Sequence, residues 1–252
     1  MSRATNQDGR RVAVVSGGSR GLGLALIGHL LEQDYRVATF SRTESDELVK
    51  LRAGLDDPDR LHWSALDGAD TGTAPQEFVR AVMRRFGRVD LLVNNAGVGL
   101  EGLLSTTPPA DIDHSLLVNM SLPLQLSRAC LKPMLAAGGG CIVNISSING
   151  LRGQPGVSVY SAAKAGLDGF TRSLAREVGP VGIRVVGLAP GYFESDMTAG
   201  MSEKTRDRVA RRTPLGRLGT LDDLVGVFAF LISDRARFIT GQTLTVDGGF
   251  TC

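Results

Sequence analysis

The fold is decided near the N-terminus, where a short apolar run, Arg11-Val12-Ala13-Val14-Val15-Ser16, leads into Gly17-Gly18-Ser19-Arg20-Gly21-Leu22-Gly23. The run is short and rich in β-branched residues, which is typical of a buried strand in a parallel sheet. The apolar residues 24–31 follow the glycines and predict a helix. These three pieces therefore predict a strand, a tight turn and a helix in succession.

This succession is the opening of a Rossmann unit, in which backbone N-H groups and the helix N-terminus bind a diphosphate. The glycine spacing is Gly17-x-x-x-Gly21-x-Gly23, which differs from the GxGxxG pattern. A glycine-rich turn alone is weak evidence, and an ordinary tight turn between strand and helix is the alternative. The residues predicted to contact the dinucleotide here are Gly17, Ser19, Arg20, Gly21, Leu22 and Gly23.

The end of the second predicted strand bears on the choice of dinucleotide. An NAD-binding protein has Asp or Glu there, which accepts from the ribose 2′-hydroxyl, whereas this chain has Ser41-Arg42. Ser41, Arg42 and Arg20 could instead hold the 2′-phosphate of NADP(H), because arginine matches phosphate geometry. The alternative is that both arginines are surface side chains. Glu44 and Asp46 come too late to be the missing acid unless the strand runs long.

Strands and helices alternate to the C-terminus. The predicted strands span residues 11–16, 35–40, 60–66, 89–94, 141–145, 183–188 and 242–246, and the predicted helices 24–31, 44–55, 75–86, 111–136, 160–178 and 220–232. This alternation predicts an α/β fold: one Rossmann-type, doubly wound parallel sheet of about seven strands with helices on both faces. We expect a single domain over residues 1–252, with residues 1–10 as a flexible leader, residues 192–214 as a mobile lid, and a bend near Pro123.

Polar residues follow the third and fourth predicted strands, at the edge where a ligand would lie. Asp67 could accept from an adenine amino group, although a loop or cap aspartate is the alternative. Asn95, Ala96 and Gly97 could lock the neighbouring loops and leave room for a flat ligand, or could merely form a turn. Asn119 in the long helix could open the backbone hydrogen-bond ladder and hold a water, or be a cap or solvated residue.

The stretch from Ser147 to Lys164 supplies a hydroxyl, a phenol and an ammonium group. Tyr160 and Lys164 are four residues apart, so they share a face of a helix. A free tyrosine has a pKa of about 10, so a phenol that exchanges protons near neutrality needs help. We expect the positive charge of Lys164 to favour the phenolate. The stretch therefore predicts proton transfer by Tyr160 beside a cofactor.

Taken together, these residues resemble the short-chain dehydrogenase/reductase family over nearly the whole chain. Within that family the chain is most similar to the 3-oxoacyl-carrier-protein reductases, through its glycine turn and its ending Gly241-Gln242-Thr243-Leu244-Thr245-Val246-Asp247-Gly248-Gly249. The matching pieces appear in family order: Gly17-x-x-x-Gly21-x-Gly23, Asp67, Asn94-Asn95-Ala96-Gly97, Asn119, Ser147, Tyr160-x-x-x-Lys164 and Pro190-Gly191.

The resemblance implies NADPH-dependent reduction of a ketone, such as a 3-oxoacyl thioester or a related β-keto compound. Tyr160 would give a proton to the substrate oxygen, and Ser147 would hydrogen-bond the same oxygen. Lys164 would also bind the nicotinamide ribose, and Asn119 would hold a water that relays protons. Ser147 is favoured over Ser146 by its spacing of thirteen from Tyr160 and because alternation on a strand turns the two serines opposite ways.

The resemblance also places Pro190, Gly191 and Ser195 at the nicotinamide, although a turn and a helix cap are the alternatives for Gly191 and Ser195. It further implies a homotetramer, or a homodimer, built on the long helices and the C-terminal strand. Carrier-protein reductases usually have basic residues before the fifth strand and after the catalytic helix. This chain has Ala136-Ala137-Gly138-Gly139-Gly140 and Gly179-Pro180-Val181 there, which weakens the expectation of a carrier-bound substrate.

Composition argues against other classes of protein. Of the 252 residues 21% are charged, and the net charge is +2 with scattered arginines, so no nucleic-acid partner is expected. The N-terminus is polar and no segment approaches the roughly 18 apolar residues of a membrane span. We therefore expect a cytoplasmic protein without a membrane partner. The three cysteines and three histidines show no ligand spacing, so no metal site is expected.

Two other functions stay open from the sequence. The chain could be a dehydrogenase of a secondary alcohol, sugar or steroid, since the same residues serve the reverse direction. It could also be a dinucleotide-sensing regulator without turnover. Such a regulator would keep the glycine turn but would not need Ser147, Tyr160 and Lys164.

Overall fold

The structure is a computed structural model that describes residues 9–194 and 200–252. Its strands are Val12–Ser16 (β1), Arg36–Ser41 (β2), Leu61–Ala65 (β3), Leu91–Asn94 (β4), Gly140–Ile145 (β5), Ile183–Pro190 (β6) and Thr243–Val246 (β7). Its α-helices are Gly21–Glu32 (α1), Asp46–Ala53 (α2), Ala74–Phe86 (α3), Pro109–Leu116 (α4), Leu122–Ala137 (α5), Ile148–Leu151 (α6), Ser158–Val178 (α7), Glu203–Arg212 (α8) and Leu221–Ile232 (α9). A π-helical segment, Leu117–Ser121, joins α4 to α5.

The strands form one seven-stranded sheet in the order β3-β2-β1-β4-β5-β6-β7, with every pair parallel. The predicted doubly wound parallel sheet is confirmed. The chain moves outward from β1 to β3 and then crosses back to β4, so the order reverses between β1 and β4. Ligands of such sheets bind outside the carboxyl ends of the strands at this reversal.

Helices cover both faces of the sheet, as expected. Ala13 and Val15 of β1 face one core and Val12 and Val14 face the other, because side chains alternate along a strand. The first core includes buried side chains of α1 and α9, namely Leu26, Leu30, Leu224 and Phe228. The second includes those of α3, α5 and α7, namely Phe78, Val82, Leu126 and Leu174. Burial on both faces explains why the central strands are continuously apolar.

The helix predicted at residues 111–136 is interrupted rather than continuous. Between α4 and α5 the backbone takes the π-helical form at Leu117–Ser121, with Asn119 at its centre. A π turn inserts an extra residue into the hydrogen-bond ladder and is one recognised cause of a kink. The irregularity therefore lies before Pro123, which sits in the first turn of α5, where its missing N-H costs no hydrogen bond.

The segment predicted as a lid, residues 192–214, is partly helical. Helix α8 begins after Ser202, whose side chain accepts from the Thr205 N-H, and its Val209 is buried. This helix is absent from the predicted ones, because one buried apolar position in an otherwise polar segment gives little periodic signal. Residues 1–8 of the predicted leader and residues 195–199 lie outside the described residues. Across the described ranges, no helix combines the length and apolar character needed to cross a membrane.

Candidate active site

The hydroxyls of Ser147 and Tyr160 meet at the carboxyl edge of the sheet. Ser147 directly follows β5 and caps α6, with its oxygen accepting from the Asn149 N-H at 3.1 Å. Tyr160 lies in the first turn of α7, and its phenol is hydrogen-bonded to the Ser147 side chain. Two polar groups that are thirteen residues apart in sequence are thus hydrogen-bonded to each other in the fold.

Ser146 points away from this position. Its side chain is 3% exposed and its hydroxyl donates to the backbone oxygen of Lys164 at 3.4 Å. The two adjacent serines therefore face opposite ways at the strand end, as the alternation of strand side chains predicts. Of the two serines, it is Ser147 that shares a hydrogen bond with the phenol.

The ammonium group of Lys164 lies beneath the Tyr160 ring. Its Nζ donates to the backbone oxygen of Ile145 at 2.8 Å and lies 5.7 Å from the ring centroid. A Cβ at Gly97 would lie 3.6 Å from this Nζ and 3.0 Å from Oδ1 of Asn119. The lack of a side chain at Gly97 thus leaves space beside the Lys164 ammonium and the Asn119 amide.

The pKa values of the two titratable groups move in opposite directions. Burial lowers the pKa of Lys164 to about 8, and the negative charge of Asp168 opposes this change. Burial raises the pKa of Tyr160, and its hydrogen bond with Ser147 opposes that rise. The expectation that Lys164 would bring the pKa of the phenol down is not met in this structure, because desolvation of the phenolate is the larger effect. The phenol is consequently protonated at neutral pH, which is the form a proton donor needs.

Asn119 ties the π-helical segment to the loop after β4. Its Nδ2 donates to the Val98 oxygen at 2.9 Å and to the Ser115 hydroxyl at 3.2 Å, while its Oδ1 accepts from the Val98 N-H at 3.2 Å. The side chain is fully buried. The predicted opening of the helical ladder is present, but the amide itself is committed to protein partners, so the water relay stays a prediction.

The loops after β1 and β4 are locked together. Asn95 Nδ2 donates to the backbone oxygens of Ser16 and Gly17, each at 3.0 Å. The Ser16 hydroxyl accepts from the N-H groups of Asn95 and Ala96, each at 3.0 Å. Gly17 has φ +69°, and a Cβ there would lie 2.9 Å from Cα of Ala96. These contacts fix the crevice at the point where the strand order reverses.

The N-terminus of α1 fits a diphosphate. Arg20 occupies the cap position with an extended backbone, and its side chain makes no capping hydrogen bond, so the first N-H groups of α1 can bind another acceptor. Gly21 has φ +55° and open space where a Cβ would stand. A Cβ on Gly23 would lie 2.2 Å from the Gly17 oxygen. Ser19 and Leu22 lie in the same turn. The N-terminus of α1 therefore lies beside a space that side chains in place of the glycines would fill, which suits a bound diphosphate.

The loop after β2 lies next to this turn. The Ser45 hydroxyl donates to the backbone oxygen of Ser19, a link that the sequence analysis missed. Arg42 is exposed on the same loop. The Ser41 hydroxyl donates to the Thr43 oxygen and accepts from Trp63 Nε1, both at 2.8 Å. Ser41 is therefore less available to a 2′-phosphate than its position suggested.

Neither late acid substitutes for the missing one. Glu44 forms an ion pair with Arg52 at 2.7 Å, and Asp46 begins α2. Strand β2 extends only to Ser41, so both acids lie beyond its end. The absence of an acid at this strand end, inferred from the sequence, thus holds for the described structure.

The remaining predicted cofactor residues have local partners. Asp67 is exposed, and its Oδ1 accepts from the Ala69 N-H at 2.9 Å, as in a turn. Pro190 is the buried last residue of β6, and the Gly191 N-H donates to Val246 at 2.9 Å. A Cβ on Gly191 would lie 2.5 Å from that of Asp247, so this glycine is required by the close approach of the residue that follows β7. Ser195 lies outside the described residues.

Aromatic residues that sequence reasoning missed stand beside the candidate site. The Tyr192 hydroxyl donates to Gln154 Oε1 at 2.8 Å, and its ring packs edge-on against Phe250, with 5.2 Å between centroids. Gln154 belongs to the loop that leads to Tyr160, and Tyr192 follows β6. The hydrogen bond therefore joins the loop before α7 to the loop after β6. No local pattern signals this contact, because its members are far apart in the chain.

A family model described as Enoyl-(Acyl carrier protein) reductase matches residues 17–251. The solved short-chain dehydrogenase/reductase of Serratia marcescens BCRC 10948 is 33% identical, with TM-score 0.87 and coverage of 96% of this chain and 98% of that one. The chain belongs to the short-chain dehydrogenase/reductase family. It is therefore an oxidoreductase of a family that binds nicotinamide dinucleotides.

Two further members of the family are similar to this chain. The 3-oxoacyl-[acyl-carrier-protein] reductase FabG of Chlamydia muridarum is 36% identical over 95% of this chain and 96% of that protein. The structure of a gluconate 5-dehydrogenase from Burkholderia cenocepacia J2315, in complex with NADP and tartrate, is 32% identical with TM-score 0.89. The similarity covers 97% of the present chain and 96% of the gluconate 5-dehydrogenase chain.

Proposed function

We propose that the protein is an NADPH-dependent reductase that converts a ketone, a 3-oxoacyl thioester or a related β-keto compound, to a secondary alcohol. The observation that supports this most strongly is the convergence of the Ser147 and Tyr160 hydroxyls over the buried Lys164. Two hydroxyl donors at one point suit a carbonyl oxygen that gains negative charge. The similarity to a 3-oxoacyl-[acyl-carrier-protein] reductase supports the substrate class.

In this reaction Tyr160 is the proton donor. Its raised pKa keeps the phenol protonated at neutral pH, so it can protonate the carbonyl oxygen as the carbonyl carbon is reduced. The Ser147 oxygen accepts from the Asn149 N-H, and its hydrogen, which is shared with the phenol, would turn to the carbonyl oxygen of a bound substrate. The nearby ammonium of Lys164 would then stabilise the phenolate that forms.

We expect residues from several loops at this edge of the sheet to bind the dinucleotide. The N-H groups of the first turn of α1 would take the diphosphate, Asp67 the adenine, and Lys164 the nicotinamide ribose. Bound in this way, the reduced nicotinamide would supply the hydride. The loop Asn95, Ala96 and Gly97 and the residues Pro190, Gly191 and Ser195 would border the cofactor. Asn119 would hold a water near Lys164 that returns a proton to the phenolate.

The preference for NADP(H) rests on two cations. Arg20 begins the glycine turn and Arg42 the loop after β2, and the Ser45 hydrogen bond to Ser19 holds these loops together. A 2′-phosphate between them would meet guanidinium groups rather than a carboxylate. The solved relative with bound NADP supports the same choice.

We extend the proposal to assembly and location. Leu116, Leu117 and Leu135 of the long helices are more than a third exposed, which supports a homotetramer, or a homodimer, that covers them.

The substrate is carrier-bound or a free thioester. Carrier-protein reductases usually have basic residues where this chain has glycines and Val181, so we infer turnover of free thioesters. The cytoplasmic location and the mobile lid stay predictions.

A second candidate is oxidation of a secondary alcohol or sugar. It is favoured by the structural similarity to a gluconate 5-dehydrogenase. The same hydroxyls could serve it, with the phenolate of Tyr160 as the base.

A dinucleotide sensor without turnover is less well supported, because it would not need the hydrogen bond between Ser147 and Tyr160. Reduction of an enoyl thioester is a further possibility, because the matching family model carries that description.

The test is a substrate panel with the purified protein. Cofactor absorbance is followed with NADPH or NADH and acetoacetyl-N-acetylcysteamine, crotonyl-N-acetylcysteamine or a simple ketone, and with NADP⁺ and gluconate. We expect the highest kcat/KM with NADPH and the 3-oxo thioester, at least about tenfold above every other pair of cofactor and substrate. The reason is that the two hydroxyl donors can both hydrogen-bond a ketone oxygen. Faster oxidation of gluconate, faster enoyl reduction, or no turnover would each contradict the proposed function.

A further inference from the structure

One pair of charges is buried in the helix that carries Tyr160. Among the charged side chains of the described residues, Lys164 and Asp168 are the two that are buried, at 4% and 3% exposure. They are one turn apart on the same face of α7. A buried charge without a nearby opposite charge is strongly unfavourable. Their joint burial therefore points to mutual stabilisation.

The Asp168 carboxylate is wedged between α6, α7 and β7. Its Oδ1 accepts from the Thr243 hydroxyl of β7 at 2.9 Å. Its Oδ2 is fully enclosed and has no hydrogen-bond partner in the described part of the chain. A Cβ on Gly150 would lie 3.1 Å from this Oδ2 and 2.9 Å from the Lys164 backbone carbon. Within the described structure, the carboxylate is thus enclosed, with one oxygen bound by Thr243 and the other without a donor.

In the part of the chain that the structure describes, the other groups near the Lys164 ammonium are neutral. Strand β5 offers the Ile145 oxygen and the π-helical segment offers the Asn119 amide, while Tyr160 of α7 is a protonated phenol. Lys164 and Asp168 make no direct salt bridge, both being within the described residues. The field of Asp168 is nonetheless the charge that opposes the effect of burial on the pKa of Lys164.

We propose that Asp168 is a positioning residue for Lys164: its buried negative charge keeps the lysine charged and directed at the Tyr160 site. The inference rests on the proposed function, since it assigns Lys164 a charged role in reduction. Asp168 would touch neither substrate nor cofactor. It would act through the lysine alone, from a place fixed by Thr243.

A pair of variants separates the charge from the hydrogen bond. Asp168→Asn keeps the shape and can still accept from Thr243, whereas Thr243→Val removes the donor and keeps the charge. Glu177→Gln, which removes an exposed carboxylate from the same helix, is the matched control. If Asp168 served only to hold the structure through its hydrogen bond with Thr243, Thr243→Val would lower activity more than Asp168→Asn.

The first readout is the pH profile of kcat/KM for acetoacetyl-N-acetylcysteamine reduction. We expect the alkaline limb to move to lower pH by roughly half a unit or more in Asp168→Asn, because the lysine loses its proton more readily. The profile of Glu177→Gln should stay near that of the wild type. Thr243→Val should move the limb less than Asp168→Asn, because the carboxylate loses a hydrogen bond but is still present. An unshifted profile in Asp168→Asn, or an equal shift in Glu177→Gln, would overturn the proposal.

The second readout does not depend on activity. The melting temperatures of the wild type, Asp168→Asn, Lys164→Met and the double variant form a cycle. We expect the double variant to melt several degrees higher than the sum of the two single losses predicts, because no charge is then left buried alone. Additive losses would contradict the pairing. Wild-type inactivity on the thioester would refute the proposed function, while this cycle would still decide the pairing.

Discussion

At the scale of single residues, the site depends on which way adjacent side chains point. Ser146 and Ser147 have the same chemistry, yet one hydroxyl binds the Lys164 backbone and the other the Tyr160 phenol. The direction of each follows from the end of β5, where side chains alternate. Chemistry at this point therefore depends on strand register as much as on residue type.

This difference predicts contrasting effects of two alanine substitutions. Ser147→Ala should lower kcat for 3-oxo thioester reduction by about 10²-fold or more, because one donor to the developing oxyanion is lost. Ser146→Ala, the matched control, should stay within a few fold of the wild type. The measurement is steady-state kinetics of both variants. Equal losses would mean that the hydroxyls are not distinguished by direction.

The cofactor preference is also a property of single residues. Arg42→Ala should remove most of the preference for NADPH over NADH by raising KM for NADPH, since a guanidinium partner of the 2′-phosphate is lost. Arg80→Ala, which changes an exposed arginine of α3, is the control. The ratio of kcat/KM for the two cofactors checks this. Equal use of NADPH and NADH by the wild type would contradict the assignment of Arg42 to the 2′-phosphate.

Lys164 predicts a pH dependence with a defined sign. Its pKa, lowered by burial to about 8, means that the charged form dominates below pH 8 and disappears above it. If reduction needs the charged lysine, kcat/KM should be level near pH 7 and fall as the pH rises through about 8. A profile of kcat/KM from pH 6 to 10 provides the check. Activity that keeps rising above pH 9 would contradict a charged lysine.

At the scale of elements, two glycines of α1 have different reasons to be glycine. A Cβ on Gly23 would collide with the Gly17 oxygen at 2.2 Å and with Asn95 Nδ2 at 2.6 Å, whereas Gly28 has nothing within 4 Å. The first glycine lets the helix start approach the crevice. The second only weakens the helix, because glycine is a poor helix former.

Substitution by alanine should separate these two roles. Gly23→Ala should weaken NADPH binding by at least about tenfold, because the loops around the diphosphate must move apart. Gly28→Ala should bind normally and raise the free energy of unfolding by about 0.5–1 kcal/mol. Fluorescence titration with NADPH and urea unfolding measure the two effects. Unchanged binding in Gly23→Ala would argue against the predicted diphosphate site.

The elements themselves could be predicted because their signals are local. Short β-branched runs, glycines and amphipathic periods gave all seven strands and the place of the catalytic helix. An opening of the helical ladder at Asn119 was predicted, but its partners were not, since the amide binds Val98 in another loop. The direction of the Tyr160 pKa was also missed. Burial decides it, and burial is a property of the packed molecule.

At the scale of the whole molecule, the site combines parts that are distant in sequence. Phe250 near the C-terminus packs on Tyr192, and Thr243 holds Asp168 beside the catalytic helix. Sequence spacing reveals Tyr160 and Lys164, and the four-residue step to Asp168 was a signal that could have been followed. The contact of Phe250 with Tyr192 had no such signal.

Assembly gives a prediction at the same scale. The exposed leucines of α4 and α5 should be covered by a second copy, so light scattering should give the mass of a tetramer or a dimer. Leu135→Glu changes the exposed leucine near the end of α5, which is 49% exposed, and should shift the mass downward. A monomeric wild type would refute the proposed assembly.

The most direct test of the proposed chemistry compares the wild type with Tyr160→Phe. NADPH oxidation is measured with acetoacetyl-N-acetylcysteamine, and NADPH affinity is measured separately by fluorescence. The wild type should reduce the thioester, and Tyr160→Phe should lose about 10²- to 10⁴-fold in kcat while binding NADPH normally, since only the proton donor is removed. Turnover by Tyr160→Phe at the wild-type rate would contradict the assignment of Tyr160 as the proton donor.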